Sequence, residues 1–582
     1  MSSAPRDRST AALVALVAAA AYLPTAARSV LGGDNGEFAT LFHAPGVAHP
    51  PGYPLYLLYL RALSGLPAAS PAHGAALATA LLGAAAAAAL FSAGRAWGAS
   101  RGASAFAALA WALSSLPWRL ATQAEVFALN ALLAAALVAA AGPAAPLRGT
   151  RRAVALGALA GLGLGNHHSI VLLAPLGVFA MVRAARESRR PARAAALGVL
   201  ASVPGLLTYG WLAAVARSGR DLWVWGDPRD LAGLLRHVAR GDYGTTSLSA
   251  SHGAPKALAH LAALGRHLVV DSLALPAALA LVAVVALLRR PRAEGLPGRP
   301  DRAAALALVA SLVVAGPVFA SRFNAPLVAV GPLIVERFYL LPSLLIALLG
   351  ALGADVVAAR ARVRPALLGA LAAAFVLAVG ARSLPRVRAD HSRVMEDYVL
   401  DTLSVPLPRA VILGSGDHLL FGTLYAQRAL RARPDVVYVN PDFLGLPPMR
   451  RRLEARTGVA LGGVPSAAVE AWLRAGRPVY LANASIAEVV RAFPCYPVGT
   501  LLRVLPRGSS LPSPEQLLAV NERVFTRFRA RPPRVRPGGW DLAATEPYAR
   551  PWVTMARAAA ARGQGEHAEA LGARARRWLP AE

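Results

Sequence analysis

The chain has 582 residues, 56% of them hydrophobic and only 16% charged, with a mean hydropathy of +0.46, which is too apolar for a soluble protein of this length. Its formal net charge of +30 comes from basic residues that flank apolar segments instead of interleaving with aromatics on a soluble face, so nucleic-acid binding is a poor reading. Cys495 is the sole cysteine, which excludes an intrachain disulfide and a cysteine-based zinc site.

Apolar runs fall near 11–27, 72–94, 103–117, 126–142, 153–165, 169–183, 194–216, 268–288, 303–320, 333–352 and 365–381. They predict an α-helical polytopic membrane protein with about 11 spans, several of them shorter than the roughly 20 residues a perpendicular crossing needs. If Arg6 and Arg8 are cytoplasmic, the series Arg95/Arg101, Arg148/Arg151/Arg152, Arg183–Arg193, Arg289/Arg290/Arg292 and Arg360/Arg362/Arg364 falls on that same side. The opposite, extracytoplasmic side then receives 28–71, 118–125, the 166–168 apex, 217–267, 321–332 and everything after about 382. Residues 1–28 also have the shape of a cleaved signal peptide ending at Thr25-Ala26-Ala27. The polar motif after them follows so closely that the helix is read as a retained anchor.

Every unusual polar motif of the membrane half faces outward in this arrangement. The first is Gly33-Asp34-Asn35-Gly36-Glu37, whose carboxylates are three apart and share one face of a helix or tight turn. Asp34 is also read as the N-cap of a helix over 37–43. Next comes His49-Pro50-Pro51-Gly52-Tyr53-Pro54, a rigid reversal with His49 as its most chemically versatile member. Glu125 stands where a span begins, and Asn130 is buried in that span. His167 and His168 interrupt a glycine-rich stretch at its outer apex, on different helix faces and so a poor metal pair. Glu336-Arg337 supplies a candidate ion pair at another outer boundary. Singly, each is explained by interfacial anchoring or helix packing; four such sites on one side of one membrane point to an active site.

From about 385 the pattern changes. Val411–Leu413, Asp435–Val439 and Pro478–Leu481 read as strands alternating with helices over 418–431, 466–475 and 485–492, a small α/β domain. The turn Gly414-Ser415-Gly416-Asp417 lacks the full GxGxxG spacing and is read as a chain reversal, with no catalytic residue in this domain. Helices over 514–530 and 551–577 close the chain. The expected division is 1–384 membrane domain, 385–510 α/β domain and 511–582 helical segment.

The order Gly-Asp-x-Gly-Glu, His-Pro-Pro-Gly-Tyr-Pro-Leu-Tyr, Ala-Glu-Val-Phe-Ala-Leu-Asn, Gly-Asn-His-His and Glu-Arg-Phe-Tyr-Leu-Leu-Pro resembles the transmembrane-protein-260 family over about residues 10–345. That family groups membrane glycosyltransferases of the GT-C superfamily, with a protein O-mannosyltransferase as its animal member. This chain departs from the pattern by an extra leucine at Leu341, and its tail looks like that of bacterial relatives. The resemblance implies transfer of mannose or another hexose, with inversion, from a polyprenyl-phosphate donor to an extracytoplasmic acceptor such as a protein Ser/Thr hydroxyl. It implies Asp34 as base, Glu37 as orienting or sharing that role, and His49, Tyr53, Glu125, Asn130, His167, His168, Glu336 and Arg337 as substrate-binding groups. The location it implies is a bacterial cytoplasmic (inner) membrane, and nothing in the sequence requires a metal or other cofactor. The same fold acting on a lipid or cell-envelope glycan stays open, as does a transporter or flippase. Transporters often carry internal repeats, and no second copy of the Asp34 or His49 block is present.

Overall fold

The computed structural model describes residues 4–219, 221–243, 256–271, 274–289, 301–361, 364–483, 486–534 and 537–580. The 244–255 part of the connection 217–267, and Arg290, Arg292 and Arg362 of the basic series, lie outside them.

The N-terminal two thirds is helical. Serine and aspartate caps start several helices: Ser70 accepts from the His73 amide ahead of Pro71–Ala96, Ser100 from Ala103, and Asp301 from Ala304. Among the described residues six helices are long and apolar enough to cross a membrane, namely Pro5–Thr25, Pro71–Ala96, His168–Arg186, Pro191–Arg217, Gly331–Arg360 and Pro365–Ser404. The bent pair Ala257–Val270 and Leu275–Leu288 makes a seventh. The sequence reading drew more spans because it counted short segments; Arg101–Ala112 and Phe127–Ala141 are helices of only 12 and 15 residues. Gly149–Asn166 carries two arginines in its first turns. Leu16, Val178, Leu207 and Leu377 are exposed on these helices, as lipid-facing side chains are.

Small residues let the helices approach closely. Gly157, Gly161 and Gly165 form a stripe on Gly149–Asn166 that lies directly on the backbone of Pro191–Leu200 and Val203–Leu207. A Cβ on Gly161 would stand 2.1 Å from the Ser202 carbonyl oxygen, and one on Gly157 1.7 Å from that of Gly198.

The C-terminal region holds a five-stranded sheet: β1 (Val411–Leu413), β2 (Val437–Val439), β3 (Val479–Leu481), β4 (Cys495–Val498) and β5 (Leu501–Val504), in the order β2-β1-β3-β5-β4. β1 runs parallel to β2 and β3, and β5 antiparallel to β3 and β4. The triplets β1, β2 and β3 are fully buried, as strands covered by helices on both faces are. Helices Pro514–Phe525, Gly539–Ala560 and Gly565–Trp578 share one apolar cluster with the sheet, and Trp578 stacks on Tyr548 at 4.4 Å. Asp401 ties them in by accepting from the Tyr548 hydroxyl and the Arg529 and Ala530 amides.

The two parts meet over the first polar connection. The helix Asn35–His43 packs between Pro71–Ala96 on one side and Asp417–Arg428 of the C-terminal region on the other. Glu396 accepts from the Val30 amide and Ser392 bonds Asp541, so the start of the C-terminal region is pinned beside that connection.

The glycine stripe yields a direct test. Gly161→Leu is expected to lower stability by about 1–3 kcal/mol or more, since the extra volume meets backbone. Gly177→Ala, where a Cβ meets nothing within 4 Å, should stay within about 0.5 kcal/mol of the parent. Thermal unfolding in detergent reads both; an unchanged Gly161→Leu would show that the backbones are not in contact.

Candidate active site

Asp34 occupies the N-cap position of Asn35–His43, but its side chain makes no capping bond. It turns away to Arg337, whose Nη1 donates to Asp34 Oδ2 at 2.7 Å and also lies 3.3 Å from Glu125 Oε1. One guanidinium thus serves two carboxylates from distant segments, and it is capped by the Phe127 ring at 5.5 Å. Glu125 is 3% exposed and its Oε2 has no hydrogen-bond partner among the described residues.

Glu37, one turn into the helix, is fully buried. It accepts from the His49 amide at 3.1 Å, from His49 Nδ1 at 2.6 Å and from Trp223 Nε1 at 2.8 Å. Its oxygens are thus occupied by His49 and Trp223. His49 Nε2 bonds the Tyr53 hydroxyl at 3.0 Å. Tyr53 has φ 47°, a left-handed backbone uncommon for a non-glycine residue, and this bond helps hold it there. The His49 ring is walled by Tyr53, Phe38, Trp225 and Phe421.

The electrostatics divide these groups. Burial alone raises the Asp34 pKa, but Arg337, His49 and the Arg337 hydrogen bond outweigh it and hold the carboxyl below its ordinary value. Burial pushes Glu125 up to about 7, Arg337 only partly offsetting it and Asp34 adding to it. Burial disfavours the charged form of His49, yet Glu37 and Asp34 overcome this and raise it to about 9. Asp417, from the C-terminal region, is pushed up to about 6 by burial and by Asp34.

The remaining residues singled out from sequence separate into two groups. His167 stacks on Tyr53 at 5.8 Å and bonds Ser169, which in turn receives the Asn130 amide, so both flank the site behind its aromatic wall. His168 faces elsewhere and bonds the Tyr209 hydroxyl at 3.0 Å. Glu336 pairs with Arg119 at 2.7 Å, and not with its neighbour Arg337 as the sequence suggested. His167 is the extended residue that ends Gly149–Asn166, so His168 opens the next helical turn toward Tyr209, while Glu336 lines the cavity beside Arg337 together with Arg119. Sequence reasoning missed Arg119, Trp223, Trp225, Phe421, Trp540 and Asp417. Beside Arg337 a cavity of about 600 Å³ is lined by Gly33, Arg119, Glu125, Arg337, Asp390 and Trp540, large enough for a small-molecule ligand. Among the described residues no three His, Cys, Asp or Glu side chains converge as metal ligands.

These features define a polytopic helical membrane protein with a paired-charge site under a C-terminal α/β cover. The fold is shared with ArnT from Cupriavidus metallidurans bound to undecaprenyl phosphate, which superposes with a TM-score of 0.54 at 15% identity, covering 86% of this chain and 99% of that one. Residues 34–190 match the family model of the Protein O-mannosyl-transferase TMEM260 N-terminal domain. It is 36% identical over 250 residues to the Mus musculus protein O-mannosyl-transferase TMEM260, covering 42% of this chain and 35% of the relative. It is 26% identical over 249 residues to the Dictyostelium discoideum protein of that name, covering 40% and 30%. The match therefore spans about a third of the length of these relatives.

The His49–Glu37 pair predicts a pH dependence of stability. With the folded His49 pKa raised to about 9, its stabilisation is complete below about pH 6.5 and is lost as pH rises through 9. The melting temperature should fall across that window, and Glu37→Gln should flatten the fall while lowering stability at neutral pH. An identical alkaline slope in Glu37→Gln would remove this pair as its source.

Proposed function

We propose that this chain is a GT-C glycosyltransferase that moves a hexose, mannose in the first instance, from a polyprenyl-phosphate donor to a protein Ser/Thr hydroxyl. The reading places it in a bacterial cytoplasmic membrane with the site on the extracytoplasmic side. The arginine alternation supports that orientation, and the TMEM260 domain and its relatives' names support the chemistry.

The observation that carries the reading is the Arg337 guanidinium between Asp34 and Glu125, next to a histidine kept cationic by a buried glutamate. An inverting transfer needs a base for the attacking hydroxyl and cationic groups for the departing phosphate. In the proposed reaction the acceptor oxygen attacks the anomeric carbon and the bond from that carbon to the phosphate oxygen breaks. The electron pair leaves with the polyprenyl phosphate, and the hydroxyl proton passes to Asp34. Arg337 and His49 neutralise the charge gathering on the phosphate. Glu37 fixes His49, while Tyr53 and His167 shape the wall. The apolar chain of the donor lies among the membrane helices.

Transfer of radiolabelled mannose from polyprenyl-phosphate-mannose to a Ser/Thr-rich peptide tests this. Asp34→Asn keeps size and most hydrogen bonding but removes basicity, so turnover should fall by about 10² to 10⁴ in a protein that still folds. Near-normal turnover by a folded Asp34→Asn protein would sink the assignment. Transfer to a lipid or glycan but not to peptide would keep the mechanism and change the acceptor.

A further inference from the structure

Asp417 opens the helix Asp417–Arg428 after the turn Gly414-Ser415-Gly416, where Gly416 has φ 106° and Asn483 fixes Ser415 through two hydrogen bonds. This helix lies alongside Asn35–His43, and the register can be followed residue by residue. Gly36 faces the Phe421 carbonyl, a Cβ there standing 2.5 Å from it. Three residues on, Ala39 shares a small apolar cluster with Tyr425. One turn back, Trp540 lies over Gly33 and also against His418, with ring centroids 5.7 Å apart and planes tilted by 45°. The two helices therefore run in the same direction with their N-termini side by side. Asp34 stands at one N-terminus and Asp417 at the other.

Phe421, which walls His49, is four residues after Asp417 and so on the same helix face. The Asp417 carboxyl lies within electrostatic reach of Asp34, His49, Arg337 and Glu37. Its side chain is exposed and so open to a ligand. No hydrogen bond or ion pair engages its carboxylate among the described residues. A residue serving only the helix dipole has no need to face two other carboxylates, whose repulsion opposes the placement. The same site contains the unpartnered, buried Oε2 of Glu125, so its polar complement is incomplete.

We propose that Asp417 is a substrate-binding residue of this site, accepting hydrogen bonds from hydroxyl groups of the donor's sugar. The inference rests on the glycosyltransferase reading above. An amphipathic donor keeps its apolar chain among the membrane helices and brings its phosphate to Arg337. The sugar beyond the phosphate then points toward the C-terminal domain, where the exposed Asp417 carboxylate is engaged by no described side chain. Hydrogen bonds to an ionised acceptor are the stronger kind and suit recognition of a neutral, hydroxyl-rich ring.

The test compares binding of undecaprenyl-phosphate-mannose with that of undecaprenyl phosphate by the full chain in nanodiscs. The parent protein should prefer the mannosyl lipid. In Asp417→Asn and Asp417→Ser the mannosyl lipid should bind about 10- to 100-fold more weakly, with undecaprenyl phosphate unchanged and Asp417→Glu recovering part of the loss. Variants that keep the parent's preference overturn the inference alone. Equal losses for both lipids in both variants also overturn it, because they mark a structural role. A parent protein that does not distinguish the two lipids removes the sugar-recognition reading together with the inference.

Discussion

The structure depends on how one arginine is neutralised at the boundary of a membrane domain. Arg337 begins a long apolar helix, where an unpaired charge is costly, and it is satisfied only because Asp34 and Glu125 both reach it. These three groups come from the first connection, the start of Phe127–Ala141 and the start of Leu340–Arg360. Their pairing fixes where three membrane segments end relative to one another. Removing Asp34 would leave the arginine with only the partly protonated Glu125 as its counter-charge, and removing the arginine would leave two carboxylates facing each other.

A second set of contacts carries the same order outward. Glu37 is spent wholly on His49 and Trp223, and Val47 pairs with Val224 in an isolated parallel bridge. The connection around 221–243 is in turn held to the C-terminal region by Arg428 on Asp221 and Arg452 on the Val224 carbonyl. The C-terminal domain is thus bonded to the same short loop that bears the site, and its helix Asp417–Arg428 forms part of the site's wall. A domain that only decorated the membrane half would not need Gly36 to be bare against the Phe421 carbonyl.

What was legible in the sequence follows contact order. Asp34, Glu37, His49 and Tyr53 lie within twenty residues, so their motif and its rigid turn announced themselves before any folding was considered. Arg337 is 303 residues from Asp34, and only its place at an outer span end hinted at a meeting. The apolar triplets that became β1 and β3 were readable from their runs, but β4 and β5 were not, since Cys495-Tyr496-Pro497 carries a proline and has half-buried edges. Asp417 escaped because Gly-Ser-Gly-Asp is an ordinary strand-to-helix turn; its meaning lies in the helix register against Asn35–His43, which local pattern does not encode. The same limit applies to His168, whose bond to the Tyr209 hydroxyl follows from the break in the helix at His167.

The pairing that stabilises the substrate-free site also restrains its chemistry. A carboxylate bonded to a guanidinium is held ionised, which a base requires, but its affinity for a proton is reduced, which a base does not want. On the proposed reaction the donor relieves this conflict. A phosphodiester arriving beside Arg337 offers the guanidinium a singly charged partner, whose charge grows as the sugar leaves, and competes with Asp34 for the same Nη1 donor. Glu125, raised to about 7, carries a proton part of the time at neutral pH and so competes less for the arginine than a fully ionised carboxylate would. As Arg337 turns toward phosphate, Asp34 loses its strongest stabilising partner and its basicity rises when an acceptor hydroxyl is to be deprotonated. Without donor, Asp34 stays a weak base, and the site is protected against abstracting protons from water or from an acceptor that has arrived first. Arg337 then does more than hold phosphate: the strength of the base depends on whether the leaving group is in place.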